Sequence, residues 1–263
     1  MNVGGRTVLL TGATGGLGHA IARRLAAAGA RVVLSGRRGD VLAGLAGEIG
    51  AEVAPADLSD PDAVRALAAA HTDADILVAN AGVPASGRLE TYEDEQIERA
   101  LLVNLHAPII LTHALAPHMV RRGSGHIVFM SSLAGKTATA GSSLYNATKF
   151  GLRGFGGAMR AELHGTGVGV STIFPGFIRE AGMFAEAKVT LPFGVGTKTA
   201  EQVAEATLRS IEKDRGEVDV APVSLKLGSL LGGVAPETAA RVTRKSGGDD
   251  IAMQFETGQM DKR

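Results

Sequence analysis

The sequence predicts an α/β domain built on a doubly wound parallel sheet with helices on both faces. Three observations carry this. Short apolar runs recur along the chain with helix-patterned stretches between them. The first strand-helix-strand unit spans about thirty residues, the length that a parallel pair with a helical crossover needs. A glycine-rich turn joins the first strand to the first helix. At 263 residues the chain suits one such domain over 1–263, and no repeat or low-complexity linker divides it.

Residues 7–11 form an apolar run, read as the first buried strand. A helix over 16–28 follows, with Leu17, Ile21 and Leu25 on one face, and a strand over 30–35 completes the unit. Further strands are predicted at 52–56, 76–79, 127–131, 168–174 and 218–221. Between them lie a long helix around 100–120 and another around 145–164. Residues 176–199 are irregular and rich in small side chains, which predicts a long functional loop. An extension over 223–263 begins with the apolar stretch 223–234, which holds Leu225, Leu227, Leu230 and Leu231 and precedes Arg241, Arg244 and Lys245. It reads either as an amphipathic segment that shields a lipophilic substrate or touches a membrane surface, or, preferred, as a short helix packed on the sheet or a partner subunit. The polar end, 247–263, is expected to be partly disordered.

Composition narrows the function. Twenty-seven basic residues balance twenty-seven acidic ones, so no basic face is implied and nucleic acid is not an expected partner. The absence of cysteine excludes disulfides, thiol catalysis and cysteine-ligated metal, and fits a cytoplasmic protein. Met1-Asn2-Val3-Gly4-Gly5-Arg6 lacks the charged start and apolar core of a signal peptide, and no integral membrane segment is predicted. The seven histidines show no HExxH or paired spacing, so no metal is expected. Asp57, Asp60 and Asp62 lack a complete calcium-loop pattern, and Ser59 or Asp60 reads better as a helix cap.

The glycine turn is Thr11-Gly12-Ala13-Thr14-Gly15-Gly16-Leu17-Gly18. Gly12 permits a sharp turn, while Gly16 and Gly18 let backbone approach a pyrophosphate and pack the helix on the sheet. The helix N-terminus then offers free N–H groups and a positive dipole end to an anion. The second strand ends Leu34-Ser35-Gly36-Arg37-Arg38, with no carboxylate where a ribose-binding one would favour NAD(H). Two guanidinium groups suit a 2′-phosphate, so NADP(H) is favoured over NAD(H), with Arg37 the main contact and Arg38 the second.

Tyr145 and Lys149 stand four apart on a predicted helix and share a face. An ammonium beside a phenol stabilises the phenolate, so the tyrosine pKa is expected to fall. Alone, this spacing is a weak pattern.

Together these motifs resemble the short-chain dehydrogenase/reductase family over residues 5–183. The TGxxxGxG pattern stands at 11–18, with cofactor contacts at Gly12, Thr14, Gly15, Gly16, Leu17 and Gly18. Asp57-Leu58 after the third strand matches the family's adenine segment, and Asn80-Ala81-Gly82 its NAG segment. Asn80 is expected to bridge neighbouring strands while Ala81 and Gly82 let the cofactor pass. Asn104 sits in a Val-Asn pair of the long helix, Ser132 precedes Tyr145 by thirteen residues, and Pro175-Gly176 follows the sixth strand beside the nicotinamide. The resemblance implies a Rossmann-like fold and a catalytic set of Asn104, Ser132, Tyr145 and Lys149. Tyr145 would exchange the proton with the substrate oxygen and Ser132 would position that oxygen. Lys149 would tune the phenol and bind ribose hydroxyls, and Asn104 would hold a water in the proton relay. The substrate would be a ketone, aldehyde or secondary alcohol, of apolar character, and residues 176–199 would form the variable substrate loop. A dimer or tetramer would form through the Tyr145 helix, where Gly151, Gly154, Gly157, Ala158 and Ala161 make one side small.

The chain also departs from the family. Glu180 stands where a threonine usually helps to hold the nicotinamide amide, which leaves either the Ile178 backbone to hold it or a register shift in this loop. Phe177, Met183 and Phe184 read as an apolar lid or as ordinary packing. The alternatives to an oxidoreductase are a catalytically silent dinucleotide-binding sensor or scaffold, and a lipid reductase working at a membrane surface.

Overall fold

The computed structural model describes residues 1–187, 189–191, 195–245 and 248–259. Seven strands form one parallel sheet: β1 (Thr7–Leu10), β2 (Arg31–Gly36), β3 (Glu52–Pro55), β4 (Ile76–Ala79), β5 (Gly125–Met130), β6 (Val168–Pro175) and β7 (Glu217–Val220). Their order is β3-β2-β1-β4-β5-β6-β7. The crossovers use α1 (Gly16–Ala27), α2 (Gly39–Ile49), α3 (Pro61–Ala70), α4 (Asp94–Leu101), α5 (Ala107–Arg122), α6 (Ser143–Glu162) and α8 (Ala200–Glu212). Short α7 (Gly182–Ala187) lies within the predicted substrate loop, and α9 (Val223–Val234), α10 (Pro236–Lys245) and α11 (Gly248–Gln259) make up the extension.

Successive side chains of a strand point to opposite faces, and the core divides accordingly. Leu9, Leu77, Ile127 and Phe129 face Leu111, Leu115 and Leu152 of α5 and α6. Val8, Leu10, Ile76 and Val128 face Ile21, Leu25, Leu42 and Val203 of α1, α2 and α8. Chain direction across the sheet reverses between β1 and β4, and the carboxyl ends of strands at such a switch point open a crevice for a ligand.

The predicted strands are all present, with ends shifted by one or two residues. The long helix is not continuous. A π turn over Leu102–His106 separates α4 from α5, and Asn104 sits in its middle. The run Asp94–Arg122 is by length and composition alone able to cross a membrane, contrary to the sequence expectation. Half of its most apolar window is buried, with Val103, Ala107, Leu111, Leu115 and Met119 in the core, so its apolar character is that of a central core helix. Asp60 caps α3, accepting from the Asp62 N–H at 2.8 Å.

The extension departs most from expectation. Residues 248–259 are helical, not disordered. Helix α9 packs against Thr137, where a Cβ at Gly232 would meet the hydroxyl at 2.5 Å, and its Leu225 lies beside Gly176 just past β6. Residues 188, 192–194, 246–247 and 260–263 of the predicted loop and tail lie outside the described residues.

Candidate active site

The carboxyl ends of the central strands open on a cleft of about 1130 Å³. Every residue proposed from the sequence for catalysis or cofactor contact lines it except Asn104.

At one end lies the glycine turn. Gly12 has a φ of +68° and lies against Ala81, whose Cα a Cβ would meet at 2.6 Å. A side chain at Gly18 would overlap the Gly12 carbonyl oxygen. Ala is a better helix former than Gly, so Gly18→Ala isolates this close approach. Gly18→Ala is expected to lower stability by about 3 kcal/mol, read from urea unfolding, because backbone must move to admit the methyl. Gly16 serves a different neighbour: a Cβ there would meet the Ala181 Cβ at 2.7 Å, so it admits the loop after β6.

Helix α1 begins at Gly15 with no side-chain cap and no acidic residue in its first turn. Its first N–H groups therefore face the cleft unsatisfied, the arrangement that binds phosphate. Arg37 and Arg38 are exposed at the rim, and the Arg38 guanidinium donates to the Thr14 carbonyl at 2.5 Å. Burial raises the Asp57 carboxyl, but bonds from the Ser59 N–H (2.9 Å) and hydroxyl (2.7 Å), with Arg37 and Arg99 nearby, outweigh it and hold the group below its usual range. Asn80 bridges β1 and β4 as expected: its Nδ2 donates to the Thr11 and Gly12 carbonyls at 3.0 and 3.2 Å. This donor set fits a phosphorylated dinucleotide.

Further along, Tyr145 and Lys149 rise from α6. The buried Lys149 ammonium donates to the Met130 carbonyl at 3.0 Å and lies 5.6 Å from the Tyr145 ring centroid. The Ser132 hydroxyl accepts from the Ala134 N–H at 3.2 Å and pairs with the Tyr145 phenol. Of the neighbouring serines, Ser131 is buried and spent on the Lys149 carbonyl at 3.0 Å. Asn104 is fully buried, and both ends of its amide bind Val83, accepting from its N–H at 2.7 Å and donating to its carbonyl at 3.0 Å. A water held at Asn104 must therefore use its backbone. The π turn is suited to that, since a widened turn disturbs the carbonyl ladder.

One expectation needs correction. The Tyr145 phenol is not lowered but pushed up to about 12, because burial outweighs the Ser132 hydrogen bond. Burial in turn pushes Lys149 down to about 8. The same desolvation that disfavours the phenolate disfavours the ammonium that was expected to stabilise it. Tyr145 is a neutral phenol at pH 7, as it would be at its ordinary value, and burial makes its ionisation harder still.

Glu180 is exposed, has a left-handed φ of 70° and lies 3.6 Å from Arg179. The Phe177 carbonyl and Arg179 N–H bond to Lys198 at 2.9 and 3.0 Å. Ile178 lies between these two bonds, so its own N–H and carbonyl point away from Lys198, and the residue lines the cleft.

The far wall includes residues that sequence reasoning missed. Phe255 and Gln259 of α11 line the cleft, and Phe255 stacks on Phe177 and packs at a tilt against Phe184, with centroids 6.4 and 6.2 Å away. Buried Asn146 donates to the Ala134 and Thr137 carbonyls at 2.6 and 3.0 Å, which fixes the loop that carries Ser132. Its only sequence signal is its place beside Tyr145.

A short chain dehydrogenase profile matches residues 6–191. The ketoacyl reductase HetN of Nostoc is 37% identical over 254 residues, covering 91% of this chain and 88% of that protein. A short-chain dehydrogenase from Sphingobium yanoikuyae, solved in complex with NADPH, superposes with a TM-score of 0.76 at 28% identity, covering 89% of this chain and 95% of its own. Serine dehydrogenase complexed with NADP+ superposes at 0.74 with 30% identity, covering 83% of this chain and 95% of its own. Profile, relatives and fold agree with the cleft: the chain belongs to the short-chain dehydrogenase/reductase family and is an oxidoreductase acting on CH–OH groups with NAD(P).

Proposed function

We propose that the protein is an NADP(H)-dependent carbonyl reductase, and in reverse an alcohol dehydrogenase, for an apolar ketone, aldehyde or secondary alcohol. The observation that carries this is one cleft joining two arginines and an uncapped helix N-terminus to a neutral phenol paired with a serine. NADPH supplies the hydride when bound. Arg37 and Arg38 hold the 2′-phosphate, and the first N–H groups of α1 hold the pyrophosphate. Asp57 and Leu58 flank the adenine, and Asn80, Ala81 and Gly82 shape the passage between the two halves. Lys149 reaches the nicotinamide ribose, while Pro175, Gly176 and the Ile178 backbone frame the nicotinamide and its amide. Tyr145 donates the proton to the carbonyl oxygen, and Ser132 bonds that oxygen and fixes it.

Relatives support the cofactor reading, since three solved structures with TM-scores of 0.70 to 0.76 are described with NADPH, NADP or NADP+. The aromatic group Phe177, Phe184 and Phe255 supports an apolar substrate. Assembly through α6 is supported by Gly154 and Gly157, which have open space where a side chain would stand, beside the exposed Phe150. Gly151 is used within the protomer, against Leu105.

The test is a titration of NADPH and NADH on wild type and Arg37→Ala, followed by cofactor fluorescence. Wild type is expected to favour NADPH, and Arg37→Ala to lose about tenfold or more of that preference through one charge-assisted contact. A preference that survives the substitution, or a preference for NADH, rejects the assignment.

A further inference from the structure

Helix α9 is amphipathic in the reverse sense. Its inward side carries Leu225 and the small Gly228, Ser229 and Gly232, of which Leu225, Gly228 and Ser229 line the cleft. Its outward side carries Val223, Leu227, Leu230 and Val234, which are 72%, 62%, 65% and 80% exposed. At roughly 100° per residue these four fall within about 60° of one another. Leu231, 39% exposed, also lines the cleft and marks the edge between the two sides, and exposed Lys226 borders the stripe. Among the described residues, five of the ten large exposed apolar side chains lie on this one helix, so they are not the scattered kind that any surface shows.

We propose that this stripe docks the protein on a lipid bilayer, with the mouth of the cleft beside the contact. The area decides between a bilayer and a second copy of the chain. The four outward side chains, 62–80% exposed, offer roughly 400 Å² of accessible surface, about half of the roughly 800 Å² that a stable protein interface buries on each side. A bilayer demands no complementary surface, only a few apolar side chains that enter the boundary of headgroups and acyl chains. The four outward residues meet that requirement, and Lys226 stands where its long side chain reaches lipid phosphates. Because the inward side of the same helix walls the cleft, an apolar substrate dissolved in the bilayer reaches the site without crossing bulk water. This last point rests on the carbonyl-reductase reading; the docking itself does not.

The experiment is co-sedimentation of the full chain with mixed phosphatidylcholine and phosphatidylglycerol vesicles. Wild type is expected in the pellet, and Leu227→Glu/Leu230→Glu is expected to lose about tenfold or more of the bound fraction. NADPH affinity of the double variant should stay at the wild-type value, which separates this result from failure of the fold or of the cofactor reading. Wild type remaining in the supernatant overturns the proposal, as does equal sedimentation of both proteins. An independent readout uses Leu227→Trp, since the chain has no tryptophan of its own. Its emission should shift to shorter wavelength on adding vesicles, and an unchanged spectrum overturns docking. A wild-type dimer that the double glutamate variant converts to monomer would identify a second copy as the occupant and overturn it equally.

Discussion

Tyr145→Phe is expected to lower turnover by about 10³-fold while NADPH binds as in wild type. On the proposed reading the phenol is the proton donor for carbonyl reduction; neutral at pH 7 already at its ordinary value, it is pushed up to about 12 by burial. Removing its oxygen leaves the ring packing and the glycine turn intact, so the loss falls on the chemical step. Single-turnover kinetics with an apolar ketone, beside a fluorescence titration of NADPH, separate the two effects. Turnover within tenfold of wild type would mean that another group supplies the proton and would sink the assignment.

Lys149→Met should cost about 10²-fold or more in turnover without lowering stability at pH 7. Burial holds Lys149 at about 8, below its usual 10.5. For a base whose folded pKa is depressed, the charged form is penalised in the fold. That penalty, about 3 kcal/mol, is present below pH 8 and relieved as pH rises from 8 to 10.5. Methionine removes it but leaves the Met130 carbonyl without its donor, a cost of about 1–3 kcal/mol, so the two roughly offset. Thermal melts across this pH range should show wild type gaining on the variant between pH 8 and 10.5. On the proposed mechanism the reductive rate of wild type should fall as pH rises through about 8, as Lys149 loses its charge. A melting temperature well below wild type at pH 7 would show that the ammonium stabilises the fold, contrary to the desolvation argument.

The sheet was legible because strands buried on both faces must be apolar throughout, as Ile76–Ala79 is. Strand ends were less so: Gly125 and Pro175 continue the ladder by backbone pairing, to which their side chains give no clue. The π turn at Asn104 escaped notice for the same reason, since it alters hydrogen bonding and not the apolar period. The site residues were readable because fixed spacing on regular elements fixes their placement. The direction of the Tyr145 shift was not, because desolvation depends on what surrounds the ring in space. Neither Phe255 nor Gln259 bears a local pattern that ties it to a site begun more than a hundred residues earlier. In α9 the period was present, but with little charge on either side nothing in the sequence said which side faces outward.

The α9 and α11 wall has a consequence for how such a protein diversifies. Every group proposed to handle the proton or the hydride carrier lies before residue 180, while part of the cleft is closed by α9 and α11, which are synthesised after them. The nascent chain therefore completes a cofactor-competent unit before its chamber is sealed. Selection can then rewrite the closing segments, and with them the molecules admitted, at little risk to the chemistry beneath.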